Sequence, residues 1–265
     1  MLRRTALKCA IAAIAAGAIS ATLVVRAAQP QPLAVAAASD LQSVLPTIVA
    51  QFEKDTGQKV SVTFGSSGNF MTQIEHGAPF DVFLSADIDY PRRLEQAGLV
   101  EAGSVSMYAT GRIVLWSRND SKVDVSRGLA VVTDPQVRRI AVANPAHAPY
   151  GRAAVAALRH DHLYDEVRSK LVLGENISQA AQFAQSGNAE VGILALSLAL
   201  SPTLKSAGRY FEIPASSYPP IEQAGAVVSA SRQTALAHRF LAALKAPSAE
   251  RTLGAFGFSV PTAAR

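Results

Sequence analysis

Three short apolar runs, each followed by a segment with helical spacing, open the chain after residue 31 and leave it few architectures. Residues 32–38, PLAVAAA, have the length and composition of a buried strand. Leu41, Val44, Leu45, Ile48, Val49 and Phe52 then recur at helical spacing, with Ser39 or Asp40 placed as N-cap and Gly57 closing the helix. Pro46 falls inside that pattern and limits its first turns. Residues 59–64 alternate like a strand, 69–76 read as a short helix, 81–85 as a buried strand and 88–97 as a helix. This βαβαβα order is that of a parallel sheet covered on both faces, so the expected class is α/β.

A second series follows a strand at 112–117 and a polar, loop-rich stretch. It holds strands at 139–143 and 190–194 and helices at 151–160 and 178–186. A strand at 221–229 and a helix at 232–245 end the pattern; Ala235, Leu236, Phe240, Leu241 and Leu244 share one stripe of that helix. No polar linker separates the two series. They are expected to form two lobes that share crossover strands near 107–117 and 219–229. Lobe 1 would take residues 28–111 and 222–265, and lobe 2 residues 112–221.

Residues 1–27 have the form of an export signal: a basic start, an apolar run from Cys9 to Val25, then small residues with Val25-Arg26-Ala27 fitting a cleavage site. An uncleaved anchor is the competing reading of the same run. The twin arginines leave the Sec and Tat routes both open. The mature chain is therefore expected to be exported. The formal charge of +5 loses most of its meaning there: without Arg3, Arg4, Lys8 and Arg26, 21 basic residues face 20 acidic ones. Such a balance supplies no basic face for nucleic acid. Cys9 is the single cysteine, so disulfides, thiolate metal sites and cysteine nucleophiles are excluded from the mature chain.

Motifs for catalysis are scarce. There is no HExxH, GxSxG or GxxxxGK[ST]. Gly65-Ser66-Ser67-Gly68 is one residue short of a nucleophile elbow, and no His or Asp is spaced along the sequence to support it. His160-Asp161-His162 does not place both rings on one helix face and reads as a solvated turn. Asp87 and Asp89 read as a cap. What recurs is a hydroxyl or small residue at a strand end or loop that opens a helix: Ser39, Ser66 and Ser67, Ser85 and Ala86, Pro149-Tyr150-Gly151, and Ile177 with Ser178. Free N–H groups and the positive end of the helix dipole gather at such places. In open α/β sheets ligands bind at the carboxyl ends of strands. The pattern suits an anion bound without Lys or Arg.

At these residues the chain resembles the periplasmic molybdate-binding proteins of ABC importers, the ModA family. The similar stretches are Ala36-Ala37-Ala38-Ser39-Asp40-Leu41, Phe64-Gly65-Ser66-Ser67-Gly68-Asn69, and the run from Gly77 to Asp87. They continue in order with Tyr108-Ala109-Thr110-Gly111, Asn144 through Gly151, Gly174 through Gln179 and Gly187 through Ile193. The resemblance implies a bilobal fold of the type II periplasmic-binding class, with a tetrahedral oxyanion between the lobes. It implies no enzyme activity and no cofactor. Molybdate, with tungstate, would be the ligand, a membrane permease of an ABC transporter the partner, and the receptor a monomer. Carried over by position, Ser39 and Ser67 would donate from hydroxyl and backbone, Ala86 would contribute from the same lobe, and Tyr150 and Ile177 would give backbone N–H groups from the second. No side chain would coordinate the molybdenum itself. Some family members supply a tyrosine hydroxyl where this chain has Ala195, and the Tyr150 phenol is the candidate substitute. Asp40, unwelcome beside a dianion, is expected to point away. A receptor for sulfate or Fe³⁺, or an exported hydrolase using Ser66 or Ser67, stays as the competing function.

Overall fold

The computed structural model describes residues 31–260; the export-signal reading of residues 1–27 lies outside them. Among the described residues no helix is long and apolar enough to cross a membrane. The first half runs β1 (Leu33–Ala38), α1 (Leu45–Thr56), β2 (Val60–Gly65), α2 (Ser67–Glu75), β3 (Val82–Ser85), α3 (Asp89–Gln96) and β4 (Ser106–Gly111). The second runs β5 (Ile113–Arg118), β6 (Ile140–Ala143), α4 (Pro149–His160), α5 (Tyr164–Val167), β7 (Leu171–Gly174), α6 (Ile177–Gln185), β8 (Val191–Ala195), α7 (Leu196–Ala199), α8 (Pro202–Ala207) and β9 (Gly208–Glu212). The chain then returns as β10 (Ile221–Val227), α9 (Thr234–Ala243) and α10 (Pro247–Ala255).

Two mixed five-stranded sheets result, ordered β2-β1-β3-β10-β4 and β7-β6-β8-β5-β9. β1 pairs in parallel with β2 and β3, and β6 with β7 and β8, as the two βα series require. β10 runs antiparallel between β3 and β4, and β5 antiparallel between β8 and β9. Only Arg112 separates β4 of one sheet from β5 of the other. The return strand pairs Ile221 with Gly111. Both passages between the lobes therefore lie side by side, the geometry of a two-strand hinge.

Alternation along β1 explains the covering layers. Leu33, Val35 and Ala37 pack with α1, α9 and α10, where Phe52 meets Phe240 edge-on at 5.1 Å. Ala36 faces Phe70, Phe83 and Leu94 on the other side. A third core fills the second lobe around Ile113–Trp116 and Ile140–Ala143.

The first helix begins later than its apolar spacing suggests. Ser39–Leu41 form a single 3₁₀ turn, and the α-helix starts at Leu45 with Pro46 in its first turn. An α-helix running through from Ser39 would need an N–H at position 46 to bond the Gln42 carbonyl, and proline has none. Neither Ser39 nor Asp40 caps that helix through its side chain. Gly57 closes it in the left-handed conformation, φ 69°. The loop-rich stretch after β5 holds two 3₁₀ turns, Val125–Arg127 and Leu129–Thr133.

Candidate anion-binding site

The parallel strands deliver three α-helix N-termini to one place. Ser66, Ala148 and Asn176 are the residues just before α2, α4 and α6. A small cavity lies between them, lined by Ala38–Asp40, Gly65–Ser67 and Ala86 of lobe 1 and by Ala148–Tyr150, Asn176 and Ile177 of lobe 2. The structure thus brings Ser39, Ser67, Ala86, Tyr150 and Ile177 to the wall of a single cavity, from five strand-to-helix connections spread over 139 positions of sequence. No Lys or Arg lines it. The N–H groups of Ser67, Tyr150 and Ile177 stand in the first turns of their helices, where no carbonyl one turn back is available to them. Three helix dipoles and their free N–H groups favour an anion there without a formal cation.

Hydrogen bonds refine the individual roles. The Ala86 N–H donates to Ser67 Oγ at 2.9 Å. That bond occupies the Ala86 donor and leaves the Ser67 hydroxyl proton free for another acceptor. Ser39 Oγ takes a long 3.4 Å bond from the Ser178 N–H, and the Ser178 hydroxyl returns to the Ser39 carbonyl at 3.0 Å. Asn176 caps α6 by accepting the Gln179 N–H at 3.1 Å.

The Tyr150 phenol does not take the part expected of it. It donates to Asp40 Oδ2 at 2.9 Å and accepts from the Gln223 amide at 3.1 Å. Gln223 also donates to Asp40 Oδ2, at 2.6 Å, while its carbonyl accepts from the Tyr108 hydroxyl at 3.1 Å. Helix α4 explains the difference: its first turn puts the Tyr150 ring against the hinge, where a Cβ on Gly111 would lie 2.2 Å from the phenol oxygen. Asp40 accordingly turns its Oδ2 toward the hinge strands. It is fully buried, and its Oδ1 has no partner. Burial pushes its carboxyl up to about 6, against the pull of the Tyr150 and Gln223 hydrogen bonds. Burial, followed by the charge of Asp40, raises the Tyr150 and Tyr108 phenols well above 10.

Around the cavity the lobes touch directly. The His147 carbonyl accepts from the Gly68 N–H at 2.9 Å and from the Ser66 hydroxyl at 2.6 Å. Asn69 donates to Glu175 at 2.5 Å, Ser197 to the Asp40 carbonyl at 2.7 Å, and Arg152 to Tyr90 at 2.7 Å and to Asp87. Asp87 also accepts the Asp89 N–H at 2.9 Å, although the residue just before α3 is Ile88 and the helix has no side-chain cap.

One reading of the sequence needs correction. Ser66 does have a histidine: His147 Nδ1 lies 2.9 Å from its Oγ, and Glu175 lies 3.8 Å from the far ring nitrogen. Spacing could not reveal this, because 81 positions separate Ser66 from His147. The pair differs from a nucleophile with its base in where the hydroxyl proton goes: to the His147 carbonyl. Elsewhere, His160 contacts its neighbour Asp161 at the end of α4. Among the described residues no cluster of His, Cys, Asp and Glu could hold a metal ion. Gln223, Ser197 and His147, which complete the surroundings of the site, carried no local signal in the sequence.

The profile of the family described as bacterial extracellular solute-binding protein matches residues 33–259. The chain is 40% identical over 243 residues to the molybdate-binding protein ModA of Azotobacter vinelandii, covering 92% of this chain and 96% of that one. It is 37% identical over 246 residues to ModA of Rhodobacter capsulatus, covering 92% and 95%. The solved structure of the Azotobacter vinelandii periplasmic molybdate-binding protein superposes with a TM-score of 0.81 at 34% identity, over 86% of this chain and 99% of that one. Bilobal sheets, a cavity of helix N-termini at the hinge and similarity along nearly the whole length agree, and this chain belongs to the bacterial extracellular solute-binding proteins, among the ModA molybdate-binding proteins.

Proposed function

We propose that this protein is a periplasmic receptor that captures molybdate, and tungstate with it, between its lobes and delivers it to the membrane permease of an ABC importer. The observation that carries the reading is a cavity walled by three helix N-termini drawn from both lobes and by serine hydroxyls of lobe 1, with no cation, in a chain 40% identical to a molybdate-binding protein. Donors from Ser39, Ser67, Tyr150 and Ile177 would surround the anion, with Ala86 orienting Ser67. They come from both lobes, so a ligand bound by all of them favours closure. Binding a preformed dianion requires no general acid, no nucleophile and no cofactor, and the receptor works as a monomer. Sulfate has the same charge and shape but is smaller, and fixed backbone donors cannot all contract onto it.

Titration calorimetry of the mature chain with molybdate, tungstate, sulfate and phosphate tests this. One-to-one submicromolar binding of the first two with the others silent is expected. Preferred sulfate or phosphate would retain the anion site and overturn the ligand. Heat from none of them would overturn the receptor reading.

A further inference from the structure

Asp40 stands on the wall of the cavity beside Ser39 and is fully buried. The two side-chain donors within its reach, the Tyr150 hydroxyl and the Gln223 amide, bind Oδ2, and the Asp40 backbone N–H is the other donor near the carboxyl. Oδ1 is buried without a partner. None of the ion pairs among the described residues includes Asp40. The groups facing it are Tyr150 of α4, Tyr108 of β4, Gln223 of β10 and Ser197 of α7, with Tyr218 beyond Tyr150. All are neutral near pH 7, so no cation offsets a carboxylate there.

An ionised, buried Asp40 beside a dianion is strongly repelled. With two donors already on Oδ2, a proton has its place on Oδ1. A proton on Oδ1 replaces an unpartnered buried acceptor with a donor. We infer that Asp40 is a ligand-binding residue that carries a proton in the loaded state, so that the site takes up a dianion and one proton together. The inference rests on the oxyanion reading above. The proton comes from solvent, stays on the Asp40 carboxyl and leaves with the ligand. Burial has already lifted this carboxyl to about 6, which brings the step within reach near neutrality. An anion that brings its own O–H, such as hydrogen phosphate, would instead donate to the ionised Oδ1 and take up no proton.

The test is calorimetry of molybdate binding from pH 6 to 8.5 in pairs of buffers with different ionisation heats. Proton uptake should approach one per molybdate above pH 7, and Kd should rise about tenfold per pH unit there. Asp40→Asn should bind with no uptake and a flat pH profile. Gln223→Leu, which removes one donor from Oδ2, should move the onset of uptake to higher pH. No uptake and a flat profile in the wild type would overturn the inference, as would unchanged uptake in Asp40→Asn or an unmoved onset in Gln223→Leu. Absence of molybdate binding at every pH would overturn the molybdate reading itself, and this inference with it.

Discussion

Ser67 and Asp40 lie on the same cavity wall and do opposite things to it. Ser67 is held by the Ala86 N–H so that its own proton is free to be donated. Ser67→Ala should weaken molybdate binding by about 1–3 kcal/mol, the scale of a lost hydrogen bond to a charged group; unchanged affinity in calorimetry would remove Ser67 from the site. Asp40 is a cost to the unliganded fold at neutral pH. Its folded carboxyl is raised from the ordinary 3.8 to about 6, so its favourable contribution is complete below pH 3.8 and is lost as pH rises through 6. At pH 7.5 the ionised group costs about 3 kcal/mol. Asn is nearly isosteric, and its carbonyl can still accept from Tyr150 and Gln223. Asp40→Asn should therefore unfold in urea about 2–3 kcal/mol later than wild type at pH 7.5, with the gain shrinking toward pH 4. A gain of equal size at both pH values would show that ionisation is not its cause.

Among the elements, α2 is the one whose placement decides closure. Its first turn approaches lobe 2 so closely that a Cβ on Gly68 would sit 2.7 Å from the His147 carbonyl. The backbone bond there, 2.9 Å, cannot form with that group in the way. Gly68→Ala should lower molybdate affinity at least tenfold while leaving the melting temperature without ligand nearly unchanged, because the added methyl faces the other lobe rather than a core. Affinity equal to wild type would mean that the lobes need not approach so closely. The Arg152 contact with Asp87, by contrast, is partly exposed, and Arg152→Ala should speed ligand release by less than about tenfold in stopped-flow mixing. Much at this scale was legible beforehand. The βαβαβα order, the helices at 151–160 and 178–186 and the return strand at 221–229 all follow from apolar spacing, which burial on a sheet imposes directly. Polar or short elements escaped it: β7 is half-exposed, β9 lies at a sheet edge, and α10 has only Ala249 and Leu253 buried. At the site, the helix-opening residues were visible because a helix start has a local chemistry. The Asp40–Tyr150–Gln223 contacts and the Ser66–His147 pair were not, since they join residues 110, 183 and 81 positions apart.

At the scale of the whole molecule, two sheets with separate cores are joined by adjacent strands and by polar contacts around one cavity. Two cores could in principle melt apart. Several features oppose that here. Ala38 and Ala86 of lobe 1 belong to the same apolar cluster as the core of lobe 2, and β10 re-enters the first sheet between β3 and β4. Unfolding either lobe alone would expose those contacts and strip the other of its partner surface. The mature protein is therefore expected to melt in one calorimetric transition. A ligand that binds only when both lobes are folded and apposed stabilises the whole unit by mass action. Molybdate at one hundred times its Kd adds about 2.7 kcal/mol. At about 2–4 °C per kcal/mol for a chain of this size, the transition should move up by roughly 5–10 °C. Sulfate at the same concentration should leave it in place, since an anion too small to engage both lobes gains nothing from their apposition. Two transitions, with only one shifted by molybdate, would show instead that the ligand is held by a single lobe and that closure is not part of binding.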